Sequence, residues 1–70
     1  MRNVYLSYEN IPYFYNIKSN KLYELMGEYL QEVDGYRIIQ NVRFNSNEIS
    51  RREAMLMVKN NGYIQKQLAT

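Results

Sequence analysis

Between residues 3 and 8 apolar and polar positions alternate. Val4, Leu6 and Tyr8 fall on one side and Asn3, Tyr5 and Ser7 on the other, which predicts a half-buried strand. Glu9-Asn10-Ile11-Pro12 predicts a turn, because proline has no amide to give a ladder and holds the residue before it extended. Alternation resumes over 13–17, with Tyr13, Tyr15 and Ile17 opposite Phe14 and Asn16. A hairpin is the expected result.

The period then lengthens. Leu22, Leu25, Met26, Tyr29, Leu30 and Val33 recur every three or four residues, predicting an amphipathic helix from Ser19 or Asn20 to about Asp34, closed by Gly35. Gly27 lies inside that stripe; it weakens a helix by about 1 kcal/mol relative to alanine and implies close packing there. Residues 36–44, "YRIIQNVRF", return to alternation. Ile38, Val42 and Phe44 share a side with Tyr36 and Gln40, against Arg37, Ile39, Asn41 and Arg43, and a third strand is expected.

After a turn at "NSN" (45–47), Ser50 and Glu53 match a capping box, and Ile49 and Ala54 match a hydrophobic staple. The helix they open should turn Ala54, Met55, Met57 and Val58 inward, with Leu56 at the edge. Asn60-Asn61-Gly62 fits a left-handed stop, followed by a contact from Tyr63. Residues 63–70 fit either a short edge strand or a helical turn. The expectation is one small α+β domain over residues 1–70, in the order β-β-α-β-α. Its three-stranded, mainly antiparallel sheet should carry both helices on one face.

Composition narrows the chemistry. At 70 residues a domain buries only about 60% of the surface its unfolded chain exposes, so small folds lean on a disulfide, a metal or a partner subunit. With neither cysteine nor histidine in the chain, disulfides, thiolate metal sites and the commonest acid/base near neutral pH are excluded, and a homodimer is the expected staple. The serines and Thr70 have no histidine to activate them. The glycines stand apart at 27, 35 and 62 and form no phosphate loop. No enzyme activity, metal or cofactor is expected. The longest apolar runs fall short of the ~18 residues a membrane span needs, so a cytoplasmic protein without a membrane partner is expected.

Charge is uneven. Residues 1–34 carry three cationic and five acidic side chains, net −2, and residues 35–70 carry six and two, net +4, which together make the overall +2. Such asymmetry steers partners more than it builds folds.

Two sets of candidate residues follow. Tyr5, Tyr13, Phe14 and Tyr15 concentrate rigid amphipathic rings of the kind that interfaces favour; a thin half-buried core is the competing reading. Glu24, Glu28 and Glu32, at i, i+4 and i+8 of the expected helix, would form an acidic ridge for a basic partner or a neighbouring subunit, unless they are an ordinary solvated face. The second set is Arg37, Arg43, Arg51 and Arg52. Arg37 and Arg43 with Tyr5, Tyr13 and Tyr15 would form a sheet surface that stacks bases and holds nucleic-acid phosphates. Arg51 and Arg52 lie at a helix N-terminus, where a solvated basic corner, an acidic protein partner and a DNA phosphate are the competing readings, although the capping box already engages some of its amides.

The expected function is therefore non-enzymatic binding, first of a host protein. Heavy use of asparagine and tyrosine, both with A/T-rich codons, fits a phage or mobile-element accessory protein that modulates or inhibits a host factor, such as one of its defences. A DNA- or RNA-binding regulator is the alternative, and a small structural or virion component the third class.

Overall fold

The computed structural model describes residues 3–27 and 29–69, with side chains described through Asn61. Its order is β1 (Asn3–Tyr8), β2 (Ile11–Asn16), β3 (Lys21–Leu25), β4 (Leu30–Glu32), α1 (Tyr36–Asn45), β5 (Asn47–Ile49) and α2 (Arg51–Ala69). The strands form one antiparallel sheet in the order β4-β3-β2-β1-β5. The α+β class stands. The sheet has five strands rather than three, and the element order differs from β-β-α-β-α.

The first hairpin is tighter than expected. Only Glu9 and Asn10 make the turn, with φ of 52° and 64°, the doubly left-handed pattern of a type I′ turn. Tyr8 and Ile11 close it, which leaves Ser7 and Pro12 as a pair that exchanges no backbone hydrogen bonds. Pro12 thus costs β1 nothing. Its nitrogen faces β3, whose pairing with β2 begins one residue later, at Tyr13 with Glu24. A proline can therefore begin a central strand here and lie almost fully buried.

The segment expected as a helix over 19–34 is a second hairpin, β3–β4. Its closure at Met26 and Tyr29 is a backbone bond of 3.0 Å, beside Gly27 at φ +85°, a left-handed geometry that no helix interior adopts. The sheet also needs β3: Tyr15 pairs with Leu22 and Phe14 with Tyr23, so both sides of the segment find partners. A helix would have turned Tyr23 to solvent.

The segment expected as a strand over 36–44 is α1. Ile38, Ile39 and Val42 are spaced for one helical face, and all three join the core. Gly35, at φ 134°, starts the helix, and its carbonyl accepts from Ile39 at 3.2 Å; Ser46 closes it onto the Val42 carbonyl at 3.1 Å. Tyr36 and Phe44, placed with Val42 by the strand reading, are 77% and 74% exposed.

α2 begins as expected. The Glu53 amide donates to Ser50 Oγ at 3.0 Å and the Ser50 amide to Glu53 Oε1 at 3.4 Å, a reciprocal capping box. Ala54, Met57, Val58 and Asn61 form its inward stripe, while Met55 is 42% exposed. The expected stop at Asn60-Asn61-Gly62 is absent, and the helix runs on through 63–69. Asn61 instead donates its side-chain amide to the Asn10 carbonyl at 3.2 Å, fastening α2 to the β1–β2 turn. The contact expected of Tyr63 lies outside the described side chains.

Strand register separates two faces. The first carries Leu6, Tyr13, Tyr15 and Leu22, closed by Val42 of α1, with Val4, Tyr8, Ile11 and Val33 around them. The second carries Tyr5, Pro12, Phe14, Tyr23, Leu25 and Leu30, and α2 lies on it across β1 and β2. The helices are thus on opposite faces, not on one. β5, pairing with β1 at the sheet edge, is where the chain passes from one face to the other.

Candidate partner-docking site

The two faces are unequally closed. On the first face Leu6, Tyr13, Tyr15, Leu22 and Val42 are at most 8% exposed, whereas on the second only Pro12, and Ala54 of α2 above the sheet, are buried to that degree among the described side chains. The cause is width. Five strands at about 4.8 Å spacing span roughly 19 Å, and one helix with its side chains covers about 10–12 Å. With α2 over β1 and β2, the β3–β4 half of the second face is left open.

That open half is a groove of about 220 Å³. Tyr5, Phe14 and Leu25 form its floor, Tyr29 and Leu30 one side, and Arg51 and Met55 of α2 the other. The floor rings support one another: Tyr5 and Phe14 centroids lie 5.3 Å apart at 56°, and Phe14 and Tyr23 6.3 Å apart at 42°. Tyr29 and Leu30 are 59% and 49% exposed. Helical spacing sets Arg51, Met55 and Lys59 in one row along this flank of α2, with Arg52 and Leu56 in the next row outward. All five line a shallow surface continuous with the groove through Arg51 and Met55.

The expected site residues divide. Tyr5 and Phe14 are half-buried in the groove floor and Arg51 and Arg52 stand at its mouth, so members of both candidate sets meet at one place. Tyr13 and Tyr15 do not join them. They are 4% and 8% exposed in the core of the other face, where the Tyr15 hydroxyl donates to Asn20 Oδ1. Burial pushes the Tyr13 hydroxyl above its ordinary pKa, and the negative charges of Glu24 and Glu9 add to the effect.

The acidic ridge does not form. Glu24 pairs with Tyr13 and Gln31 on the first face, Glu32 pairs with Tyr23 on the second, and Glu28 lies outside the described residues. Nor do Tyr5, Tyr13, Tyr15, Arg37 and Arg43 share one strand surface, since both arginines are on α1. Arg43 instead lies over the rings of Tyr15 and Phe44, 5.5 and 5.6 Å from their centroids.

Tyr29, Leu30, Met55 and Leu56 are the site residues that sequence reasoning missed. Their signal was present as apolar periodicity, but Tyr29, Leu30 and Met55 were assigned inward and Leu56 to the edge of the packed side. Among the described residues no three acidic side chains gather as a metal site, and no helix is long and apolar enough to cross a membrane. No protein-family model, curated protein or solved structure matches the chain.

Proposed function

We propose that this chain is a non-enzymatic binding protein that acts by docking another protein on the open half of its second sheet face. The observation that carries the reading is the groove itself. Large apolar side chains stand exposed beside a half-covered sheet, flanked by three cations, an arrangement typical of interaction sites. The groove and the surface continuous with it are open to solvent rather than enclosed, which favours a macromolecular ligand over a metabolite. The partner is proposed to be a host factor that the chain modulates or inhibits, in keeping with a phage or mobile-element origin.

The test is capture from an extract of the cells in which the chain is naturally made. The wild type is compared with a Leu30→Asp, Met55→Asp double variant whose circular dichroism is unchanged. The wild type should retain a protein that the variant loses; equal capture by both would remove this surface from the function.

A second reading has its own observation. On the outer side of α1, Tyr36 and Phe44 are exposed at i and i+8, with Arg37 and Arg43 beside them. Free rings next to cations suit base stacking with phosphate contacts, which favours a nucleic-acid-binding regulator. Mobility-shift titrations at two salt concentrations test it: phosphate contacts require affinity to fall steeply with salt, and a Tyr36→Ala, Phe44→Ala variant should lose binding.

A further inference from the structure

The open half of the face has the width of one missing helix. The sheet is roughly 19 Å across, α2 takes the half above β1 and β2, and neighbouring helices pack at about 8–10 Å. The remaining lane is floored by Phe14, Leu25 and Leu30, and one of its walls is the Arg51, Met55, Lys59 row of α2. A helix laid there would set an apolar stripe on the sheet and a neighbouring stripe against cations.

We propose that the lane receives an acidic amphipathic helix of the partner protein, its apolar face on Phe14, Leu25 and Leu30 and its carboxylates toward Arg51, Arg52 and Lys59. The proposal rests on the protein-docking reading above and adds the chemistry of the partner. Charge complementarity selects the occupant: Arg51, Arg52 and Lys59 on the α2 side outnumber Glu32, which β4 places on the same sheet face at the lane's outer edge. The described outer face of α2 offers cations with no carboxylate among them, since Glu53 is turned back into the Ser50 cap.

A second copy of this chain is the wrong occupant. Its α1 would bring Arg37 and Arg43, and its α2 would bring the same Arg51, Arg52 and Lys59, so either helix would set cation against cation. Nucleic acid fits less well, because Tyr29 is the one largely exposed ring among the described lining residues, whereas Tyr5 and Phe14 are half-buried and packed against neighbouring rings. Extended-strand addition at β4 would use only a three-residue edge and would leave the α2 cations unanswered.

The probe is a fluorescent peptide of about 18 residues, roughly five helical turns, with leucines at helical spacing and glutamates on the remaining positions. Its counterpart carries lysines in place of the glutamates. A short DNA duplex and phosphatidylglycerol vesicles complete the set. The full chain should bind the glutamate peptide at least about tenfold more tightly than the lysine peptide.

Arg51→Glu with Arg52→Glu should reverse that preference, and Met55→Asp should weaken both peptides, with circular dichroism unchanged in each variant. Equal affinity for the two peptides, or glutamate-peptide binding indifferent to Met55→Asp, overturns the proposal. Binding of DNA or vesicles that exceeds the glutamate peptide and is lost in the same variants also overturns it, in favour of that ligand class. The docking reading fails separately, on the capture experiment: a host protein lost by Leu30→Asp, Met55→Asp together with no peptide preference would keep the site and discard the acidic helix.

Discussion

Val42→Ala and Phe44→Ala, made separately, ask whether residues 36–44 are a helix packed by one face or an alternating strand. As a strand, Val42 and Phe44 share a side and must both be buried. In α1, Val42 is fully buried while Phe44 is 74% exposed. Val42→Ala removes two methyl groups at about 0.8 kcal/mol each, and the void left behind adds to that. Alanine's better helix propensity returns about 0.5 kcal/mol, for a net loss of about 2 kcal/mol. Phe44→Ala gives up its contact with Arg43, about 0.5–1 kcal/mol at an exposed site, and gains a similar amount in propensity. Its net effect should stay within about 0.5 kcal/mol.

A chain of 70 residues has roughly 4–10 kcal/mol of stability, so a 2 kcal/mol loss is easily read. Urea denaturation followed by far-ultraviolet circular dichroism should lower the Val42→Ala midpoint at unchanged slope, with a melting temperature down by roughly 8–16 °C. The Phe44→Ala curve should overlay the wild type. Equal losses in the two variants would refute the helix and restore the strand.

Three further outcomes follow from the geometry. Ser50→Ala removes the acceptor of the Glu53 amide and half of the capping box, and should cost about 0.5–2 kcal/mol in the same denaturation assay. Gly35→Ala should cost about 1–3 kcal/mol, because φ of 134° excludes side chains and a Cβ would stand 3.3 Å from Ile38 Cγ2; an unchanged midpoint would show that α1 starts elsewhere. Tyr13 is an acid whose folded pKa lies above the ordinary 10.0. The unfolded chain therefore ionises first, and stability present below pH 10 is lost as pH rises toward the folded value. Tyr13→Phe should lose less stability over that alkaline range than the wild type, and parallel curves would deny the shift.

The sequence was legible where one element satisfies one pattern locally. β1 alternates and is a strand, and the Ser50–Glu53 box starts a helix whose N-terminus needs nothing from the rest of the fold. It misled where an apolar run satisfies two periods. Leu22, Leu25, Met26, Tyr29 and Leu30 fit a helical stripe, yet Leu22 and Leu25 lie on opposite sides of β3 and Leu30 pairs across to Leu25. Ile38 and Val42 fit both templates as well. The arbiters were non-local: β2 requires a partner at β3, and the face made by Leu6, Tyr13, Tyr15 and Leu22 requires a helix above it.

The candidate site followed the same logic. Tyr5 and Phe14 could be singled out as rings, but which tyrosines are buried depends on which face α1 closes. Tyr29, Leu30 and Met55 become surface only because α2 covers half of the other face. Arg51 and Arg52 were legible as a basic corner at a helix start; their apolar neighbours across the groove were not, since those come from a distant hairpin.

The central claim is that this chain works by seating another protein beside α2. The most direct measurement places a photoreactive benzophenone amino acid at position 55, in the lane, or at position 36, on the outside of α1, and irradiates each in an extract of the natural host. The account predicts a discrete protein adduct from position 55 and none from position 36. An adduct from position 36 alone, or nucleic acid joined at either position with no protein at position 55, would contradict it.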